Sequence, residues 1–191
     1  MFLSLTVICV VVGGLLGLVA DVTAQPIQDA KDAAQKAAIA AVAPEFDAVA
    51  DPQNVEQPNG LEAIVFAVSK GGEVVGHAVQ ATTLKGFGGK VIIMFGFDLD
   101  GNITGYNVLD CSNETPGLGS KIPVWFQKGQ KGDVIGKNPS TNNLSVSKDG
   151  GEVDAITAAT ISSRAFCDAI AQAASVLTGT DVKTAASAQV E

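Results

Sequence analysis

The feature that most constrains this chain is its first twenty residues. Met1–Ala20 holds no charged side chain and 15 of its 20 residues are apolar, whereas all 12 basic and all 20 acidic residues of the 191-residue chain follow it. As a helix, Phe2–Ala20 would be about 28 Å long, close to the thickness of a bilayer core. Asp21 closes the run. A retained membrane anchor and a signal peptide cleaved after Val22-Thr23-Ala24 both compete for this segment. Signal peptides carry a basic start and a shorter apolar core. This leader has neither, so it reads as an uncleaved anchor. Only the α-amino group precedes it, so charge does not orient it. Gly13, Gly14 and Gly17 offer a small-residue face for packing against other helices.

Removing the leader from the average explains how a chain that is 47% apolar can carry a net charge of −8. What remains is an acidic portion long enough for one compact domain and too apolar to be disordered. It has no run of Lys or Arg, which argues against nucleic acid as a partner. Its three cysteines are too few for a disulfide scaffold. Cys111 and Cys167 read as small buried thiols that could pair only if the fold joined them.

Ile27–Ala43 is Ala-rich, reads as a helix with Ile39 and Val42 near its end, and stops at Pro44. Asp51–Asn59, with Pro52, Pro58 and Asn59, reads as a linker. Two hairpins follow. Ala63–Ser69 and Val74–Thr82 flank Lys70-Gly71-Gly72-Glu73, and Lys90–Asp98 and Ile103–Leu109 flank Leu99-Asp100-Gly101-Asn102. Gly129–Asn143 reads as irregular. Ser162–Leu177 reads as a helix with Phe166, Ile170, Ala173, Ala174 and Leu177 on one face, ended by Thr178-Gly179. The expected organisation is an anchor over 1–22, an Ala-rich helix and linker over 23–58, a hairpin-rich domain over 59–178 and a tail over 179–191. Hairpins followed by a helix make this an α+β domain.

Most motif-based chemistries find little support. An EF-hand register on Asp98-x-Asp100-Gly101-Asn102 would put Gly96 and Asn107 where carboxylates belong, so a turn is the better reading. Lys85-Gly86-Phe87-Gly88-Gly89-Lys90 lacks the spacing of a phosphate loop and leads into a strand, which leaves a glycine-permitted bend. His77 is the only histidine and has no clustered Cys for a zinc site. No G-x-S-x-G is present. No general acid, general base or metal ligand is therefore assigned.

Two segments stand apart. In Glu114-Thr115-Pro116-Gly117-Leu118-Gly119-Ser120-Lys121, Pro116 and two glycines make a tight exposed loop directly after a strand. It is either an ordinary turn or a loop that approaches a flat ligand. Val153–Arg164 enters the last helix, with Thr157 or Thr160 available as its N-cap. Its hydroxyls and small residues fit either a plain cap or an anion site on the first-turn N–H groups, with Arg164 adding a cation.

Asp154-Ala155-Ile156-Thr157-Ala158-Ala159-Thr160 resembles the flavinylation motif, Asp-x-x-(Ser/Thr)-Gly-Ala-(Thr/Ser), of the FMN-binding domain family. That family includes the G component of the Rnf electron-transport complex and the C component of the sodium-pumping NADH:quinone reductase. Asp154, Thr157 and Ala159 match, and Ala158 stands where glycine is usual. The resemblance implies that Thr160 carries FMN through a phosphoester bond made by a dedicated flavin transferase. Gly86-Phe87-Gly88-Gly89 is similar to the family's aromatic-glycine stretch. Glu114–Ile122 is similar to its Glu-Thr-Pro-Gly-Leu-Gly loop, which implies that Glu114, Thr115, Leu118, Gly119 and Lys121 lie near the flavin. Chain length and spacing look more like the Rnf G component than its quinone-reductase counterpart. The implied protein is a membrane-anchored electron carrier in a ferredoxin:NAD⁺ oxidoreductase that drives ion transport. Its partners would be the other subunits of that complex, and its single-pass anchor would sit in the cytoplasmic membrane with the domain outside. The alternatives are the quinone-reductase component or a flavin-free extracytoplasmic binding domain.

Overall fold

The computed structural model describes residues 2–179; the expected tail beyond Gly179 lies outside them. It contains two compact units, which divide between Ala37 and Ala38. The first is helix α1, which continues into the second unit and spans Phe2–Val42. The segment expected to be an anchor and the Ala-rich segment are thus one helix. Pro26 lies within it, where the missing N–H costs one helical hydrogen bond. The helix formers on both sides of Pro26 carry the helix across it. From Ser4 onward α1 is long and apolar enough to cross a membrane, and the apolar side chains of its first half are exposed.

The second unit is α+β, as expected. Six antiparallel strands form its sheet: β1 (Ala48–Val49), β2 (Gln53–Glu56), β3 (Glu62–Lys70), β4 (Glu73–Gly86), β5 (Gly89–Asp98) and β6 (Ile103–Asp110). Their order is β1-β3-β4-β5-β6, with β2 on the same edge of β3 as β1. Both expected hairpins are present. Gly71 and Gly72 have φ of 62° and 88°, and two positive φ values in sequence make the turn that matches strand twist. Asp98 Oδ1 accepts the amides of Asp100 and Asn102 at 3.0 and 2.8 Å, so this carboxylate caps its own turn. β4 and β5 run further toward each other than the sequence suggests, leaving only Phe87-Gly88 at the hairpin tip. The stretch read as a linker contributes β2. Its prolines flank the strand, so neither is asked for a ladder hydrogen bond.

Alternation along the strands builds two cores. Val79, Ala81, Val91, Ile93, Phe95 and Phe97 face α3 (Thr160–Thr178), which supplies Phe166, Ala169, Ile170 and Ala173. On the other face Phe66, Val68, Ala78 and Met94 pack against Ala38, Ile39 and Val42, the last residues of α1. Thr104 Oγ1 donates to the Val42 carbonyl at 2.6 Å, and a Cβ on Gly96 would run into that same carbonyl. Gly96 is therefore what lets the end of α1 lie flat on β5.

Buried polar groups fix α3 in position. The fully buried Asp168 accepts from Thr83 Oγ1 at 2.7 Å and from Lys85 Nζ at 3.1 Å, tying α3 to β4. Phe126 stacks on Phe166 at 4.0 Å between centroids, and Tyr106 meets the same ring edge-on at 4.9 Å. The Tyr106 hydroxyl donates to the Ile122 carbonyl at 2.7 Å and accepts the Phe126 amide at 3.2 Å, which holds the short helix α2 (Ile122–Trp125) against β6. Cys111 is half-buried and Cys167 buried, and both are free thiols.

Candidate functional site

Three segments converge on the N-terminus of α3. One is the β4–β5 hairpin tip, another the loop after β6, and the third the chain from Ser147 into α3. Between them lies a cleft of about 340 Å³, within the usual range for ligand pockets. Phe87, Leu118, Ala159 and Ile161 give it apolar walls, while Thr115, Thr160 and Ser162 supply hydroxyls. Phe87 is 66% exposed although it sits at this apolar mouth.

The loop after β6 is built to hold its shape. The Thr115 carbonyl accepts the amides of Leu118 and Ser120, and Ser120 Oγ accepts the Gly117 amide at 2.8 Å. A 3₁₀ turn over Gly119–Lys121 then runs into α2. Glu114 is only 4% exposed. One of its carboxylate oxygens accepts the Gly88 amide at 3.2 Å, and the other accepts the Ser162 hydroxyl in a short bond of 2.5 Å. This one side chain therefore braces the hairpin tip and α3 from behind the cleft. A Cβ on Gly119 would run into both Glu114 Oε2 and Ser162 Oγ, so glycine is required where the loop crosses this brace.

The segment entering α3 is made differently. Val146 and Val153 form a parallel bridge, and Ser147–Asp149 make a 3₁₀ turn between them, closed by Gly150 at φ 82°. Ala158 follows at φ 62°, the only non-glycine residue in the left-handed region among those described. That conformation is why glycine suits this position: alanine pays roughly 1–2 kcal/mol to adopt it. Thr160 is the first residue of α3, half-buried on the cleft wall.

The cap differs from expectation. Neither Thr157 nor Thr160 caps α3; Ala159 is the N-cap and no side chain hydrogen-bonds there. Ser163 ties the preceding loop to the helix without capping it. Its hydroxyl accepts the Ile156 amide and donates to the Ala159 carbonyl, each at 2.9 Å. The Thr160 hydroxyl, free of any capping bond, lies on the cleft wall, with Lys148 Nζ donating to it at 3.3 Å.

Arg164 is also placed otherwise than expected. Its guanidinium forks onto Asp149, with Nε and Nη2 donating to the two carboxylate oxygens at 2.8 and 2.7 Å. This bond holds the Asp149 carboxyl below its ordinary pKa and raises that of Arg164. The cation on Thr160 is Lys148.

Of the residues singled out in the sequence, Thr115, Leu118, Gly119, Ala158, Ala159 and Thr160 line the cleft. Glu114 stands behind it. Asp154, Thr157 and Lys121 are exposed and do not line it, although the Asp154 carbonyl accepts Trp125 Nε1 at 2.8 Å and so ties the two walls together. Phe87, Ile161, Ser162 and Lys148 complete the site. Phe87 belongs to the aromatic-glycine stretch, and Ile161 and Ser162 continue the motif that ends at Thr160. Nothing local in the sequence marks Lys148, since the Val146–Val153 bridge is what carries it to Thr160.

Comparison with known proteins covers the same region. Residues 86–175 match the FMN-binding domain family, a span running from the hairpin tip to the last turns of α3. In Stutzerimonas stutzeri, the G component of an ion-translocating oxidoreductase complex is 33% identical over 179 residues, covering 90% of this chain and 77% of that protein. The Aliivibrio fischeri protein of the same name is 38% identical over 112 residues, 57% of this chain and 52% of its own length. The chain thus spans about half of that relative. The G component of the Na⁺-translocating ferredoxin:NAD⁺ oxidoreductase complex of Acetobacterium woodii is 33% identical over 67% of this chain and 61% of its own.

Proposed function

Because the chain belongs to the FMN-binding domain family, alongside the G components of ion-translocating oxidoreductase complexes, we propose that it is the membrane-anchored electron carrier of such a complex, with FMN held through a phosphoester on Thr160. The observation that carries this reading is the position of Thr160. Its hydroxyl sits at the first turn of α3, uncommitted to capping, on the wall of an apolar cleft, with an ammonium group beside it. A helix N-terminus and a lysine favour an anion at that point. Phe87, Leu118 and Ile161 form apolar walls suited to a flat ring system.

The residues present fit the group. Thr160 would carry it, Lys148 and the α3 N-terminus would hold its phosphate, and Phe87, Thr115 and Leu118 would border the ring. FMN supplies reversible electron transfer, which no side chain of the cleft can. The chain's own contribution is attachment, orientation and partial exclusion of water. Glu114 keeps the two walls in register from behind, and α1 would anchor the carrier in the cytoplasmic membrane with the domain on its outer side. Electrons would pass between reduced ferredoxin and NAD⁺ through the other subunits of the complex. A dedicated flavin transferase would make the ester.

Ala158 bears on the flavin-free alternative. Its backbone keeps the left-handed conformation that glycine would adopt, so the loop retains the geometry that presents Thr160. The test is denaturing gel electrophoresis of protein co-expressed with a flavin transferase. A fluorescent band in the parent chain and a dark one in Thr160→Ala are expected. A dark parent band overturns the proposal, while a fluorescent Thr160→Ala band moves the attachment elsewhere, with Thr157 the next candidate.

A further inference from the structure

Resting on that reading of Thr160, we infer that Lys148 is the residue that binds the phosphate of the attached group, and that Arg164 and Asp149 serve to aim it. Lys148 and Thr160 lie twelve positions apart and on different elements, yet Lys148 Nζ donates to Thr160 Oγ1 at 3.3 Å. That is a long bond to a neutral oxygen, too weak to hold an exposed lysine chain by itself. The turn beneath it does the holding. The Ser147 amide donates to the Val153 carbonyl at 2.8 Å, the Gly150 amide closes the turn on Ser147, and the neighbouring Asp149 is gripped through both carboxylate oxygens by Arg164.

The grip also explains why a guanidinium stands one turn inside the helix. With Nε and Nη2 on Asp149, Arg164 fixes the Ser147–Asp149 turn against α3 and so presents the adjacent Lys148 to the first residue of the same helix. An ammonium has three donors, of which Thr160 takes one. A phosphodiester on Oγ1 carries one negative charge, and its unesterified oxygens are two bonds from the atom Lys148 already touches. The chemistry recognised is a monoanionic phosphodiester at a helix N-terminus, met by a single aimed ammonium.

The test uses the full chain co-expressed with a flavin transferase, with two readouts: the flavinylated fraction and the ³¹P chemical shift of the flavinylated product. Lys148→Gln is expected to lower the fraction about tenfold, the worth of one charge-assisted hydrogen bond at a half-open site, and to move the ³¹P resonance. Lys148→Arg restores both. Arg164→Gln lowers the fraction about threefold, as loss of a partly exposed ion pair would, and adds nothing in a Lys148→Gln background. A parent chain that stays dark refutes the reading of Thr160 itself. If the parent is fluorescent and Lys148→Gln changes neither readout, the Lys148 assignment is overturned while Thr160 stands. A lowered fraction with an unmoved ³¹P resonance overturns it too, because Lys148 would then serve the transferase and not the phosphate.

Discussion

The two walls of the cleft are held by opposite means. The Glu114–Lys121 wall closes on itself. The Thr115 and Leu118 carbonyls and the Ser120 hydroxyl bond within the loop, and a buried carboxylate ties it to two neighbours. The wall that enters α3 keeps its shape through a strained alanine, a glycine-closed turn and a partly exposed ion pair, and it leaves a helix N-terminus without a side-chain cap. On the proposed function the difference follows from their tasks. A wall that only borders a ring would be free to satisfy its own groups. A wall that carried a covalent attachment would have to keep a hydroxyl and the first-turn amides open to the outside, at a cost in stability.

The comparison breaks most visibly at Glu114. Replacing it with alanine leaves the Ser162 hydroxyl and the Gly88 amide without their buried acceptor, and should cost about 3 kcal/mol. Glu114→Gln keeps an acceptor for one of them and should cost roughly half that. Urea unfolding measures both. A loss below about 1 kcal/mol for the alanine variant would mean that the first wall does not depend on its brace.

The second wall should respond with the opposite sign. Ala158→Gly relieves a left-handed alanine and is expected to raise stability by about 1 kcal/mol in the same measurement, part of the strain being offset by the extra freedom of glycine when unfolded. A destabilised Ala158→Gly would show that the loop is not strained where its φ of 62° puts it.

These two residues also mark how far the sequence can be read. Strands β3 to β6 are legible because apolar residues alternate onto two buried faces. The loop at Glu114 is legible because Pro116 and its glycines announce a tight turn, and the resemblance at Asp154–Thr160 points to a hydroxyl that does line the cleft. What escapes is non-local. Lys148 reaches Thr160 only through a single parallel bridge, which leaves no periodic trace. Arg164 lies four residues past Thr160, so helical spacing puts it near the site, but a carboxylate from another turn captures it. The uncapped start of α3 is hidden because Thr157 and Thr160 are of a residue type that caps helices, yet Ala159 takes the N-cap position. Helix α2 is a single turn, and β2 is an edge strand between prolines; neither is long enough to show a period.

The ion pair of the second wall gives a smaller effect with a definite direction. Arg164 lowers the pKa of Asp149, so the unfolded chain takes up this proton before the folded one does. The pair's contribution is therefore complete above the ordinary carboxylate range and is lost as pH falls below about 4, through the depressed value. The side chains are 31% and 15% exposed, so the contribution should stay under about 1 kcal/mol. Asp149→Asn should unfold more easily than the parent at neutral pH and match it in acid. An equal gap at both ends would assign the loss to packing.

Thr160 should matter least to stability while mattering most to function. A threonine N-cap replaced by alanine loses about 1 kcal/mol. Thr160 is not the cap, however: it is the first helical residue, and its hydroxyl makes one long bond to an exposed lysine. Alanine is also the better helix former, worth a few tenths of a kcal/mol at such a position. Thr160→Ala in the unflavinylated chain should therefore unfold within about 0.5 kcal/mol of the parent. A loss near 1 kcal/mol would mean that the hydroxyl caps α3 in solution, and the second wall would then be as self-satisfied as the first. A neutral result would leave the contrast intact: one residue of that wall is kept for something other than holding the fold together.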